Sequence, residues 1–197
     1  LPGGAYAMHG MGGQLAYYDP SSDIVVVTTA ATQGVKGGDE AILGVIQGIV
    51  EGLGDDSAEA QAELDARTEG LHIPYVNGSW KGCKRKRSYS FRGEKGLSRM
   101  SFEFGEKDGV VEAEYYGISY RIPFGCGENV ISDFPERRSS PIASSGAFLE
   151  DGSFALLVHL MNEEIGTIRM QASFSDDSVR ISSILCGEFS FRGFEGS

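Results

Sequence analysis

Cysteine, histidine and basic residues are scarce in this 197-residue sequence, and each shortage argues against a class of site. The three cysteines, Cys83, Cys126 and Cys186, are odd in number and lack the paired spacing of a metal site. They are predicted to be buried or free thiols, which favours a reducing, cytoplasmic compartment, although the count also allows one disulfide. The three histidines are equally dispersed, so the sequence predicts neither a metal nor a cofactor.

The sequence is also short of positive charge and of long apolar runs. Seventeen basic residues against 28 acidic ones give a formal net charge of −11. A field of this sign repels phosphate groups, so we expect no nucleic-acid partner. No run approaches the roughly 18 apolar residues of a membrane span, and no signal peptide is recognisable. Because residues 1–4 are atypical of a natural start, we expect that an upstream segment has been lost.

Two kinds of periodicity divide the chain near residues 72–74. The first part predicts two strands, at residues 14–18 and 24–29, and then a helix over residues 39–53 and a surface helix over residues 56–69. The strand at 24–29 is apolar almost throughout, which predicts that both of its faces are covered. In the longer helix, glycines recur every four residues, which predicts close packing against a neighbour, at Gly44, Gly48 and Gly52.

From Ile73 onwards, apolar and polar residues alternate in short runs separated by turn signals. This pattern is typical of an antiparallel sandwich or small barrel. The predicted fold class is therefore α+β. Residues 1–73 would form a β-hairpin with helices, and residues 74–197 would form an antiparallel β-barrel or sandwich domain.

The most informative stretch is a glycine-rich strand at residues 6–14, followed by the turn Asp19-Pro20 and the apolar strand at 23–27. Glycine lets another chain or a ligand lie against the backbone and use its N–H groups. On its residues alone, the stretch is equally a tight structural turn.

The whole pattern resembles the C-terminal edge of the catalytic domain in serine hydrolases of the β-lactamase and penicillin-binding protein superfamily, of the class C type. In that family the strand carries the third active-site motif, and His9-Gly10-Met11 falls at its position. The resemblance implies that the Gly12 N–H is the second oxyanion donor and that His9 takes the place of the motif's basic residue. Met11 departs from the usual glycine. The helix at 39–53 and the β domain resemble the family's C-terminal helix and its appended domain.

The nucleophile of that family is absent from this sequence. It lies in Ser-x-x-Lys, and no serine here has a lysine three residues later. Tyr75-Val76-Asn77 matches a second family motif but lies after the third one, so we interpret it as coincidence. The resemblance therefore implies a C-terminal fragment that is inactive alone and has no catalytic residue of its own. Its partners would be the missing N-terminal catalytic segment and a small-molecule amide or ester substrate.

A reading without catalysis stays open for the β domain, as a ligand-binding barrel or interaction module. His159 would then contact a ligand inside the barrel, although a hydrogen-bonded interior histidine explains it as well. Five aromatic residues would either line a cavity or form an ordinary core: Trp80, Tyr89, Tyr115, Tyr116 and Tyr120. The only basic run, residues 84–87, is interpreted as a solvated strand edge rather than an anion-binding patch.

Overall fold

A computed structural model describes residues 4–10, 12–30, 32, 36–54, 57–80, 85–92, 96–134, 140–161, 165–186 and 194–196. The chain divides into two compact units, Leu1–His72 and Ile73–Ser197. The described residues are mostly sheet with two helices, so the predicted α+β class is confirmed at this level. Neither described helix is long and apolar enough to cross a membrane.

The first unit is a three-stranded antiparallel sheet followed by two helices. Its elements are β1 (Tyr6–His9), β2 (Leu15–Asp19), β3 (Ile24–Thr28), α1 (Gly38–Glu51) and α2 (Ala58–Glu69). The strand order is β1-β2-β3, so the two predicted strands are present and a third, β1, pairs with the first of them. The N-terminal cap of α2 is Ser57, whose hydroxyl accepts a hydrogen bond from the Ala60 N–H at 3.1 Å. The start predicted at residue 56 lies outside the described residues.

Within the described part of the first unit, only one face of this sheet is covered. Leu15 and Tyr17 pack with Ile46 of α1 in a small core, because alternate residues of a strand point to the same face. On the opposite face, Val25 and Val27 are 65% and 69% exposed. The expectation that both faces of β3 are covered is therefore wrong for the described chain.

The glycine line of α1 also differs from its prediction. A Cβ atom added at Gly44 or Gly48 would meet no atom within 4 Å, so the described chain places nothing against this side of the helix. Val45 and Ile49, on the same side, are exposed as well. The helix therefore has one packed face and one open face.

The second unit is a nearly closed, barrel-like sheet of ten strands. They are β4 (Arg85–Ser90), β5 (Leu97–Phe104), β6 (Asp108–Tyr115), β7 (Ile118–Gly125), β8 (Val130–Phe134), β9 (Ser140–Phe148), β10 (Phe154–Met161), β11 (Ile165–Phe174), β12 (Val179–Cys186) and β13 (Phe194–Gly196). The order is β13-β12-β11-β10-β9-β7-β6-β5-β4, with β8 paired to β9. Its pairings are antiparallel except for one parallel contact between β7 and β9. The predicted barrel-like β structure is thus confirmed.

Phenylalanine rings fill the interior of the second unit. Phe102, Phe124 and Phe154 are fully buried, and the Phe102 and Phe174 ring centroids lie 5.1 Å apart, edge to face. The Phe154 ring lies directly against the backbone of β9 because Gly146 has no side chain. A Cβ atom there would lie 2.6 Å from Cζ of Phe154.

Removing one of these rings is expected to destabilise the second unit strongly. Phe102→Ala should lower the free energy of unfolding by about 3–5 kcal/mol, because the substitution leaves a cavity that the neighbouring side chains fill only in part. Ile131→Ala, at a position 57% exposed on β8, should change it by less than about 0.5 kcal/mol. Urea denaturation followed by fluorescence of Trp80, the single tryptophan, measures both. Equal losses in the two variants would contradict this account of the core.

Candidate functional site

The predicted motif lies where β1 ends and turns into β2. His9 is the last residue of β1, paired with Leu15, and it is exposed. Gly10 and Gly12 belong to the turn, whereas Met11 lies outside the described residues. β1 is the edge of its sheet, so no described strand pairs with its outer side. The structure thus brings an exposed imidazole, a glycine turn and an unpaired strand edge to one end of the first unit.

Three hydrogen bonds brace this turn. The Gly10 N–H donates to the Gln14 carbonyl at 2.7 Å, which closes the hairpin. The Thr32 N–H donates to the Gly12 carbonyl at 3.1 Å, and the Thr28 hydroxyl donates to the Gly13 carbonyl at 3.2 Å. Two successive carbonyls are therefore held, one by Thr28 at the end of β3 and one by Thr32 after it.

Gly13 is the residue that lets this bracing occur. It has a φ of +79°, and a Cβ atom there would lie 2.7 Å from Cδ1 of Ile42 and 2.8 Å from Oγ1 of Thr32. The Thr32 hydroxyl in turn donates to Asp39 at 3.1 Å, in the first turn of α1. The turn is thus pressed against the beginning of α1. Sequence reasoning missed the roles of Thr28 and Thr32, because threonines at and after the end of a strand form no recognisable motif.

The bracing holds the Gly12 carbonyl, while the Gly12 N–H has no acceptor among the residues that the structure describes. Gly12 has a φ of +76° and is only partly buried. An N–H group that is not used within the fold can donate to an anionic oxygen. On β1, the described titratable residue nearest to Gly12 in the sequence is His9, which pairs with Leu15 at the end of the strand.

The charged groups of the β2–β3 hairpin have a structural role at the other end of the strands. The Ser21 hydroxyl and N–H and the Ser22 hydroxyl donate to the Asp19 carboxylate at 2.6, 2.8 and 2.9 Å. These bonds lower the pKa of Asp19, with the Ser21 hydroxyl contributing most. Partial burial, with a smaller contribution from Asp23, raises the pKa of Tyr18.

The second unit contains the other residues that the sequence singled out. His159 is on the outer face of β10 rather than inside the barrel, and its Nε2 lies 2.8 Å from the Pro74 carbonyl oxygen. Trp80 and Tyr89 belong to the ring cluster, Tyr115 and Tyr120 are half-buried, and Tyr116 is exposed. The described interior is filled by rings. It therefore favours a structural role over a ligand-holding lumen.

The basic run and the cysteines add no site among the described residues. Arg85, Lys86 and Arg87 lie on β4, the terminal strand, where the Lys86 amino group is 3.5 Å from Glu103. Cys126 is a free thiol whose pKa is raised by burial, which disfavours the reactive thiolate. No group of three or more metal-ligating side chains occurs in the described ranges. Cys83 lies outside them, as does the Cys186 side chain.

Comparison of the chain with models of protein families, with curated proteins and with solved structures found no match. No family membership follows from these comparisons. Any functional assignment therefore depends on the residues of the first unit, chiefly the braced glycine turn.

Each unit contains an aspartate whose pKa is lowered by hydrogen bonds, Asp19 in the first and Asp151 in the second. Each should make the stability of its own unit sensitive to acid. A carboxyl whose pKa is lowered in the folded state stabilises the fold above its ordinary pKa, and this stability is lost as the pH falls through the lowered value. Asp19→Asn should therefore flatten the loss of stability of the first unit below about pH 4. The measurement is amide hydrogen exchange of β2 and β3 as a function of pH.

Asp151 provides the matched control in the second unit. Its carboxylate accepts hydrogen bonds from the Ser153 hydroxyl and N–H at 2.5 and 2.9 Å, which lower its pKa. Asp151→Asn should flatten the acid response of β9 and β10 and leave β2 and β3 unchanged. If either substitution alters both units alike, the assignment of these effects to local hydrogen bonds is wrong.

Proposed function

We propose that the first unit supplies the oxyanion-side strand of a β-lactamase-like serine hydrolase, which cleaves an amide or ester through an acyl-serine. The site residues that the resemblance implies are His9, Gly10, Met11 and Gly12, and the nucleophile belongs to a polypeptide segment outside this sequence. The observation that carries the proposal is the braced turn, because Thr32 holds the Gly12 carbonyl while the Gly12 N–H stays unused among the described residues.

The chemistry requires two donors for one oxygen. Attack of the serine on the carbonyl carbon creates a tetrahedral intermediate whose oxygen bears negative charge, and two preorganised N–H groups stabilise it. The Gly12 N–H is one donor, and the N–H of the nucleophile is the other. A single donor of this kind contributes roughly 10²–10³ to kcat. The exposed His9 imidazole, on the same strand end, orients the substrate or relays a proton.

The open surfaces of the first unit support a covering segment. Tyr6 and Met8 of β1 lie in the same cross-strand rows as Val25 and Val27 of β3, and all four are 59–71% exposed. A contiguous apolar face of this kind is typical of a surface that another element covers. The catalytic segment that carries the serine would bury it.

The second unit is assigned a structural role as an appended β domain. Its interior holds packed rings in place of a lumen, which supports this role more than the alternative of a ligand-binding barrel. The alternative of an interaction module, with its surface on the outside of the sheet, is compatible with the role proposed for the first unit.

Covalent labelling tests the proposal directly. The polypeptide encoded by the complete reading frame should react with a fluorophosphonate probe at a serine of an upstream Ser-x-x-Lys, whereas residues 1–197 alone should not react. The labelled residue is mapped by mass spectrometry of the digested protein. Labelling of this chain alone, or an intact reading frame without Ser-x-x-Lys upstream, would refute the proposal.

The role of His9 is tested in the same full-length protein. His9→Ala should lower kcat/KM for a cleaved ester by about 10²-fold, and His9→Lys should recover part of this loss, since a base is retained. His72→Ala is the matched control, because His72 is also exposed and its ring Nδ1 contacts a backbone carbonyl, that of Gly70, at 2.9 Å. Equal activity of His9→Ala and His72→Ala would exclude His9 from the site.

A further inference from the structure

An extended segment at the beginning of the second unit lies across the outside of the sheet. Residues 73–80 form neither helix nor strand apart from one isolated bridge, between Ser79 and Phe148 of β9. The strand beneath them, β9, carries small side chains on this face. Ala143, Ser145 and Ala147, which alternate along β9, are all fully buried. Small side chains on one face of a strand let another backbone approach closely.

The end of this segment is firmly anchored. Ser79 exchanges two backbone hydrogen bonds with Phe148, at 2.8 and 3.0 Å. A Cβ atom at Gly78 would lie 2.5 Å from the Phe148 carbonyl oxygen, so the backbone touches β9 there. The Trp80 ring packs on Phe104 and Phe124 at centroid distances of 5.8 and 5.9 Å, and its Nε1–H donates to the Gly105 carbonyl.

The beginning of the segment is held in a different way, by three side chains of the second unit. The Asn129 amide donates to the Ile73 carbonyl at 2.8 Å, and the His159 Nε2–H donates to the Pro74 carbonyl at 2.8 Å. Because a carbonyl only accepts, the proton of His159 is on Nε2. The Ser145 hydroxyl accepts from the Val76 N–H at 3.0 Å.

We propose that residues 73–77 are a latch that sets the length of free chain between α2 and the second unit. Helix α2 ends at Glu69, so only residues 70–72 lie between it and the latched segment. Three residues span at most roughly 10 Å, whereas residues 70–77 span roughly 27 Å once the latch is released. Gly78, Ser79 and Trp80 stay anchored, and the barrel-like sheet keeps its interior in both states.

The latch is weak enough to open without unfolding of the sheet. A hydrogen bond between a side chain and a backbone group contributes little net stability, because water replaces it when the segment lifts. Loss of one such bond should raise the open population roughly three- to tenfold. The anchor, which buries an indole ring, should open far less often. Local opening of this kind is detected by proteolysis when reclosing is faster than cleavage.

Chymotrypsin digestion of residues 1–197 tests the latch. Two bonds are compared, after Leu71, which is 78% exposed, and after Tyr75, which lies within the latch. Each rate is divided by the rate for the same bond in a free peptide of residues 68–80. In the unsubstituted chain, Tyr75 should be protected at least tenfold relative to Leu71. Cleavage at Tyr75 as fast as at Leu71 would overturn the proposal.

The urea dependence of cleavage separates release of the latch from unfolding. His159→Ala and Asn129→Ala should each raise cleavage after Tyr75 roughly three- to tenfold and together by more, and each should lower the urea midpoint of Trp80 fluorescence by the matching free energy, since only the closed state contains the bond. In each variant this cleavage should change little in low urea because release exposes little surface, whereas cleavage through unfolding rises with urea. His72→Ala, which removes a comparable ring-to-carbonyl contact before the latch, should leave cleavage after Tyr75 unchanged. If cleavage after Tyr75 rises with urea as steeply as unfolding does, or rises equally in His72→Ala, residues 73–77 are not a latch.

Discussion

Backbone that approaches another group more closely than a side chain would allow is the constraint on which both units depend. Gly13 lets the motif turn press against Ile42 and Thr32, and Gly146 lets the sheet lie on the Phe154 ring. Gly78 lets the anchored backbone that follows the latch touch β9. At each place a methyl group would sit less than 3 Å from another atom, so the contact exists only because the position is glycine. The abundance of glycine in this sequence therefore reflects packing as well as turns.

Periodicity identified strands of the second unit where one face is buried and the other is open. Phe102 and Phe104 are buried while Glu103 between them is exposed, which is the alternation that the sequence displays. The same reasoning failed for β3. Its apolar run predicted two covered faces, but Val25 and Val27 are exposed, since hydropathy shows what a side chain prefers and not whether the described chain covers it. Gly44 and Gly48 misled in the same way.

The candidate site was only half accessible to sequence reasoning. The glycine-rich residues from His9 to Gly12 were visible as a motif, because their types and order carry the resemblance. The braces were not. The hydrogen bonds of Thr28, at the end of β3, and of Thr32, after it, span 3.2 and 3.1 Å and arise only when the chain folds against the turn. His159 was placed wrongly inside the barrel, because its strand is apolar on both faces where the segment from Ile73 to Trp80 covers it.

Arg87 has a consequence for how the sheet ends. It lies on β4, the terminal strand, and its side chain turns toward the interior, with the guanidinium carbon 5.4 Å from the centre of the Phe174 ring. A strand from another molecule that joined β4 would have to bury this cation or push it out of its contact with the ring. Arg87 thus opposes edge-to-edge pairing of β4 with another molecule, the contact through which sheets assemble into fibrils.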